Sequence, residues 1–438
     1  MGACVAKLRG EYGMRMVAVR EAGDNIEAVM RSGSVTFLVS PASDLVVKEQ
    51  GGACYPLLSS GRPHTDTVFN ICLAVESVTA ARERMVGAGA RDLCGPRVIG
   101  DEEGEVEMAA VTSPCDNVIH SLVNTDHYSG VFLPGFRAYE DTDVRAEVSD
   151  LMTSIDHVTY VCGEGDTERI LAWYRECCGM ERFLITEDED PEEGVVFTDM
   201  GMRLSVGEWM TEWLCREQGV QGDTFKLVLA EPLPDNTESH VNTFLREHGG
   251  PGIQHIGLST EDITLTVDLL TKSGAKFRKP PPTYYKLEDK RQDILSIGAS
   301  PEEFARLGIL IDKEPTESRE NKVFNNLDFN LSSNTFLLQL FSFPLFNEDT
   351  FFLEIIQRQN SRGFGGGNIR ALAESIIELQ KRIDHFKASL PQTPRPLLKT
   401  ASHQEFSALH CCKKTHMLKK SSTCIDIFQG DFRKYMYI

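Results

Sequence analysis

Two histidines and one glutamate each interrupt an apolar run. In GPGIQHIGLSTED, from Gly250 to Asp262, Ile256 and Leu258 point to one side of an extended chain while Ile253, His255 and Gly257 point to the other. In SIDHVTYV, alternation gives His157 the same face as Ile155, Thr159 and Val161, opposite Val158 and Tyr160. In DTFFLEIIQRQ, Glu354 shares its face with Phe352 and Ile356. A lone strand histidine is more often a core residue satisfied by one hydrogen bond. An unpaired buried carboxylate, however, needs a proton, a cation or a metal. Two histidines and a glutamate, each central in its own strand, fit the facial triad that holds non-haem Fe(II) and leaves coordination positions open.

The elements that must position these residues follow one grammar. After His255, Thr260 is placed to cap a helix with Glu261 and Asp262 in its first turn, carrying Ile263, Val267 and Leu270 at helical spacing and ending at Gly274. After His157, Asp166 caps a helix through Ile170, Trp173 and Cys177 that stops at Gly179. FNICLAVESVTAARERMVGAGA repeats the pattern with Asn70 in the place of His255. Such self-similarity indicates duplicated modules. In the first copy His120, in NVIHSLV, is read as occupying the place of the glutamate, so no complete triad and no metal are expected there.

With 438 residues the chain can bury two substantial cores. A formal net charge of −20 and a pI near 5.0 argue against nucleic acid or an anionic membrane surface as principal partner. No apolar run approaches the roughly 18 residues of a spanning helix. The sparse arginines of MGACVAKLRGEYGMR keep a mitochondrial presequence open, with the cytoplasm as the alternative. The 12 cysteines contain no CxxC pair and read as reduced thiols, Cys177 as a core helix residue. GFGGGNIRALAESIIELQKRI has glycines before an amphipathic helix but no phosphate-cradle spacing.

These signals divide the chain into a first module over 1–127, expected to be metal-free and without its opening strand, and a linker over 128–150. A catalytic module follows over 151–360, interrupted by a polar, asparagine-rich insertion at 315–334. A C-terminal helix occupies 361–386, and a basic tail without periodicity, 387–438, reads as disordered.

The motifs FLPGFR, IDHVTY, GPGIQHIGL, PPTYYK, LGILID, FLLQLF, FFLEIIQRQ and GFGGGNIRAL together resemble the 4-hydroxyphenylpyruvate dioxygenase family of vicinal oxygen chelate proteins. The resemblance implies an α+β fold of two tandem modules built from βαβββ repeats, with a C-terminal helix. It also implies His157, His255 and Glu354 as ligands of one Fe(II) per chain, a keto-acid substrate that chelates it, and O2 as co-substrate. Gln254, Gln339, Phe341 and Phe364 match positions lining the family pocket. Ala230, Leu204 and His240 stand where the family carries an asparagine, a serine and a glutamine, and lost donors alter the substrate pose. The product implied first is 4-hydroxymandelate, feeding the ubiquinone headgroup in mitochondria. Homogentisate is the alternative product, and a binding scaffold without turnover the alternative class. A homodimer stays open as a partner.

Overall fold

Where the hydrophobic period changes from alternation to helical spacing, the chain changes from strand to helix. The computed structural model describes residues 2–22, 25–42, 66–141, 146–183, 194–198, 202–209, 225–234, 239–313, 335–348, 350–361, 363–368 and 422–429. The insertion at 315–334 lies outside them, as do the C-terminal helix beyond 368 and most of the tail.

The first module opens with α1 (Gly2–Gly10), β1 (Arg15–Ala22), β2 (Asn25–Ser32) and β3 (Val35–Ala42). Then come β4 (Thr67–Ala74), α2 (Val78–Gly87), β5 (Asp92–Asp101), β6 (Gly104–Thr112), β7 (Ile119–Tyr128) and the short β8 (Arg137–Ala138). The second module begins with β9 (Ser154–Val161), α3 (Thr167–Cys178), β10 (Glu181–Phe183), β11 (Val195–Phe197), β12 (Met202–Trp209), β13 (Phe225–Pro232) and α4 (His240–His248). Its other half is β14 (Gly252–Ser259), α5 (Ile263–Lys272), β15 (Phe277–Arg278), α6 (Glu288–Ser296), α7 (Pro301–Leu307), β16 (Leu310–Lys313), β17 (Phe336–Ser342) and β18 (Phe352–Gln359).

The second sheet runs β10-β12-β13-β9-β14-β18-β17-β15, with β11 on β12 and β16 on β17. Its centre is therefore β9, β14 and β18, the three strands that carry His157, His255 and Glu354. The first sheet runs β5-β6-β7-β4-β19-β3-β2-β1-β8. Here β19 is Ser422–Gln429, a strand inside the tail that the sequence reading left without regular structure. It fills the place that β9 holds in the second sheet, but in the opposite sense: β19 is antiparallel to β3 and parallel to β4, whereas β9 is parallel to β13 and antiparallel to β14.

One apolar cluster joins the modules, with Leu8, Phe37, Ile71 and Leu122 from the first and Val158, Tyr160, Tyr174, Ile256 and Leu258 from the second. Ile263, Val267 and Leu270 of α5 close over Ile256 and Leu258, leaving His255 on the other side. The cap of α5 is Asp262, whose carboxylate accepts from the Leu265 amide at 2.9 Å. Thr260, expected in that role, pairs its hydroxyl with Thr266 instead. Asp166 precedes α3 without a side-chain cap; the Glu231 carboxylate accepts from the Thr167 amide.

Candidate metal centre

Simple alternation places each histidine correctly and misses its neighbour. Between β9 and β14, Gly257 pairs with His157 and Leu258 with Ile155, leaving Asp156 as an extra residue; likewise Ile253 pairs with Tyr160 and His255 with Thr159, leaving Gln254 extra. These two β-bulges re-aim side chains at the sheet centre, as bulges beside functional sites do. Ile155 consequently turns to the shared core rather than to the face of His157.

The bulges make each histidine's preceding residue its orienting partner. His157 Nδ1 lies 2.9 Å from Asp156 Oδ2, and His255 Nδ1 lies 3.2 Å from Gln254 Oε1. An N–H on Nδ1 donating to these oxygens leaves the Nε2 lone pair free for a metal. Both Nε2 atoms converge on Glu354 Oε2, at 3.1 Å from His157 and 3.4 Å from His255. The ligand atoms of all three residues lie within 4.8 Å of one another, the one such group of His, Cys, Asp or Glu among the described residues that could hold a metal.

Gly257 is required here. A Cβ at this position would overlap the His157 ring, so any side chain would push the imidazole out of line.

The electrostatics fit a cation. Burial opposes ionisation of Glu354, yet the two histidines hold its carboxyl below the usual range. Burial alone would strip His157 of its proton, but Glu354 and Asp156 raise its pKa to about 9. Burial lowers the pKa of His255 despite Glu354. For Asp156, burial is overcome by hydrogen bonds from Arg358 and His157, which keep it ionised far below the carboxylate range. Two imidazole nitrogens and a carboxylate oxygen on one side, with the remaining directions left to other donors, are a donor set suited to a divalent first-row metal.

Aromatic rings wall this centre. Phe352, register partner of His255, stacks on it at 4.7 Å; Phe341 pairs across the sheet with Glu354 and stands edge-on to His255 at 6.3 Å. Phe364 meets His157 edge-on at 5.5 Å. Gln339 is buried two residues before Phe341 and presses against Gly365, where a Cβ would come within 2.6 Å of its Nε2. Gly365 has a φ of +71°, a conformation glycine accepts without strain. The first helical turn beyond it, 366–368, is fastened by Tyr284 of PPTYYK, whose hydroxyl donates to Asn368 Oδ1 at 2.8 Å, and by the Gly367 amide donating to Asp312.

The structure thus gathers His157, His255 and Glu354 at one point, with Gln254, Phe341 and Phe364 against the histidines and Gln339 beside Gly365. Leu204 and Ala230 are cross-strand partners in a buried apolar cluster that Phe364 also joins. His240 is exposed at the start of α4. Asp156 and Arg358 were not singled out from sequence, nor was Lys226, buried beside His157 with its Nζ 5.9 Å from the Phe364 ring centre. The recurring Ile-polar-His of IDH and IQH was the available signal for Asp156.

In the first module the register corrects one expectation. Asn70 pairs with Ile119 and Cys72 with Ser121, as His255 pairs with Phe352 and Gly257 with Glu354. Ser121, not His120, therefore stands in the glutamate's place. Asn70 and Ser121 bond each other, at 2.9 Å between Nδ2 and Oγ and 3.0 Å from the Ser121 amide to Oδ1. His120 faces the other way, accepting or donating at 2.8 Å with the Tyr174 hydroxyl and stacking on Trp173.

Paired sheets with a His-His-Glu cluster on one of them define a tandem vicinal oxygen chelate protein, and the profile of the Glyoxalase/Bleomycin resistance protein/Dioxygenase superfamily matches residues 154–288. The chain is 34% identical over 372 residues to the 4-hydroxyphenylpyruvate dioxygenase-like protein of Rattus norvegicus, covering 84% of this chain and 90% of that one. It belongs to the 4-hydroxyphenylpyruvate dioxygenase family. It is also 29% identical over 378 residues to the 4-hydroxyphenylpyruvate dioxygenase of Coccidioides posadasii, covering 83% of this chain and 86% of that one. A mutant of 4-hydroxymandelate synthase from Streptomyces coelicolor shares the fold, with a TM-score of 0.62 at 21% identity over 86% of this chain and 95% of that one. No helix among the described residues is long and apolar enough to cross a membrane.

Proposed function

We propose that this protein is an Fe(II)-dependent dioxygenase that converts 4-hydroxyphenylpyruvate to 4-hydroxymandelate by oxidative decarboxylation and benzylic hydroxylation. The observation that carries the reading is the convergence of His157, His255 and Glu354 at one point within a member of this family. Held by these three residues, iron would be chelated by the keto acid and would supply the activation of O2. Glu354 supplies the charge that offsets the cation, while Asp156 and Gln254 keep the histidine Nε2 atoms turned inward. Phe341, Phe352 and Phe364 exclude water from the reacting centre.

The choice of product rests on the resemblance to the dioxygenase-like proteins. Where the family carries polar residues this chain has the apolar pair Leu204 and Ala230, which alters the substrate pose on which the carbon attacked depends. A role in supplying the ubiquinone headgroup in mitochondria is carried by the resemblance to the dioxygenase-like proteins. The test is to incubate purified protein with 4-hydroxyphenylpyruvate, Fe(II), ascorbate and air and to identify products by mass spectrometry. Formation of 4-hydroxymandelate is expected. Homogentisate as sole product would replace the product assignment, and iron-loaded protein that consumes no O2 would reject the enzyme reading.

A further inference from the structure

β18 turns a second charged side chain toward the centre. Arg358 lies on the face of Glu354 by alternation. Its Nε donates to Asp156 Oδ1 at 2.6 Å and its Nη2 to Oδ2 at 2.8 Å, a bidentate clasp with the two side chains only 16% and 6% exposed. The remaining nitrogen, Nη1, donates to the backbone carbonyls of Ser361 and Gly363. The guanidinium carbon also sits 5.2 Å from the centre of the Phe364 ring.

Both paths from Arg358 end on the same imidazole. One runs through Asp156 Oδ2 to His157 Nδ1, the other through Phe364 to the edge of the His157 ring. An exposed ion pair would contribute little, but a desolvated bidentate one fixes geometry as well as charge. Arg358 supplies what neither end has alone: Asp156 gains a fixed carboxylate plane, and the turn at Ser361 and Gly363 gains an anchor inside the sheet.

We infer that Arg358 is a positioning residue that ties the orientation of the His157 imidazole to the seating of Phe364, so that metal binding and closure of the Phe364 wall favour one another. The inference rests on the triad being a metal site. Coupling of this kind is reciprocal, so metal at the histidines must steady the segment beyond β18 as much as that segment steadies the metal.

Hydrogen exchange of the full-length protein, read by mass spectrometry on peptides covering 359–368 with and without Zn(II), tests this without turnover. In the wild type Zn(II) should slow exchange there by about fivefold or more, the lower end of ordinary coupling between sites. Arg358→Lys keeps the charge but cannot hold both oxygens of Asp156 and reach the Gly363 carbonyl, and should abolish most of that protection. Should Arg358→Lys not fold, Asp156→Asn takes its place, leaving His157 an acceptor but loosening the clasp; reduced protection is expected. Absence of Zn(II)-dependent protection in the wild type, or full protection in the folded variant, overturns the inference. Protection without turnover of 4-hydroxyphenylpyruvate would instead reject the proposed function and leave the coupling standing.

Discussion

The two modules order their central strands alike, with β19 reversed where β9 stands, and divide at the sheet centre. In the second, neighbouring strands bring two histidines and a glutamate to one point; in the first, the equivalent Asn70 and Ser121 satisfy each other. The space above them differs as well. The connector inserts Phe132, Leu133 and Phe136 against Ala18, Val29, Leu38, Cys72 and Val123 of the first sheet, whereas the second module bounds its site with Phe364 and the apolar pair on β12 and β13. A metal site in this fold thus needs ligands at the centres of neighbouring strands. The first module lacks those ligands, and its buried polar pair is held by two mutual hydrogen bonds instead.

The largest effect should follow Glu354→Gln. The amide keeps the shape but not the charge, so iron affinity should fall by more than the roughly 10–100-fold that outer partners of a ligand contribute. O2-coupled decarboxylation should vanish while the thermal midpoint stays near that of the wild-type apoprotein. Full activity in an iron-loaded variant would remove Glu354 from the site.

Next comes the plug. Phe132 is fully buried and packs edge-on against Phe136 at 5.0 Å. Phe132→Ala should destabilise the protein by about 3–5 kcal/mol in denaturant titration, as truncation of a core aromatic does. A loss below about 1 kcal/mol, well under that range, would show that the connector rests on the sheet rather than filling it.

The contrast between modules was partly legible in the sequence. Strand-helix repeats and the positions of His157, His255 and Glu354 follow from periodicity, because a buried face and a change of period leave direct traces in residue order. The bulges at Asp156 and Gln254 do not, since alternation assumes that no residue is extra. The same limit misplaced His120, for a single step of register exchanges one face for the other. FLPGFR read as a connector because Pro134 and Gly135 mark a turn, although Phe132, Leu133 and Phe136 are apolar side chains needing cover. The pairing of β19 joins segments too distant for any local pattern to connect.

His120 gives a smaller, pH-dependent effect. Burial lowers its pKa to about 4, while the Ile71 carbonyl opposes the shift only in part. The unfolded chain therefore takes up this proton first, near pH 6.5. The contribution of neutral His120 is intact above that pH and is lost as pH falls toward about 4, amounting to about 3 kcal/mol in all. The stability gap between wild type and His120→Asn should shrink over this window. Parallel pH profiles would mean that His120 is accessible to protons in the folded protein.

The smallest expected effect is a null one. Asn70→His with Ser121→Glu restores two of the ligand types to the first module but leaves the connector in place, so metal content should not rise. A second bound equivalent would show that residue identity alone separates the modules.

His157, His255 and Glu354 are placed to build one metal centre in the second module. Anaerobic Fe(II) titration of the apoprotein, followed by metal analysis after desalting, addresses it directly. A single tight equivalent per chain is expected, lost in Glu354→Gln and kept in Asn70→Ala. Two equivalents in the wild type, or one that survives Glu354→Gln, would contradict it.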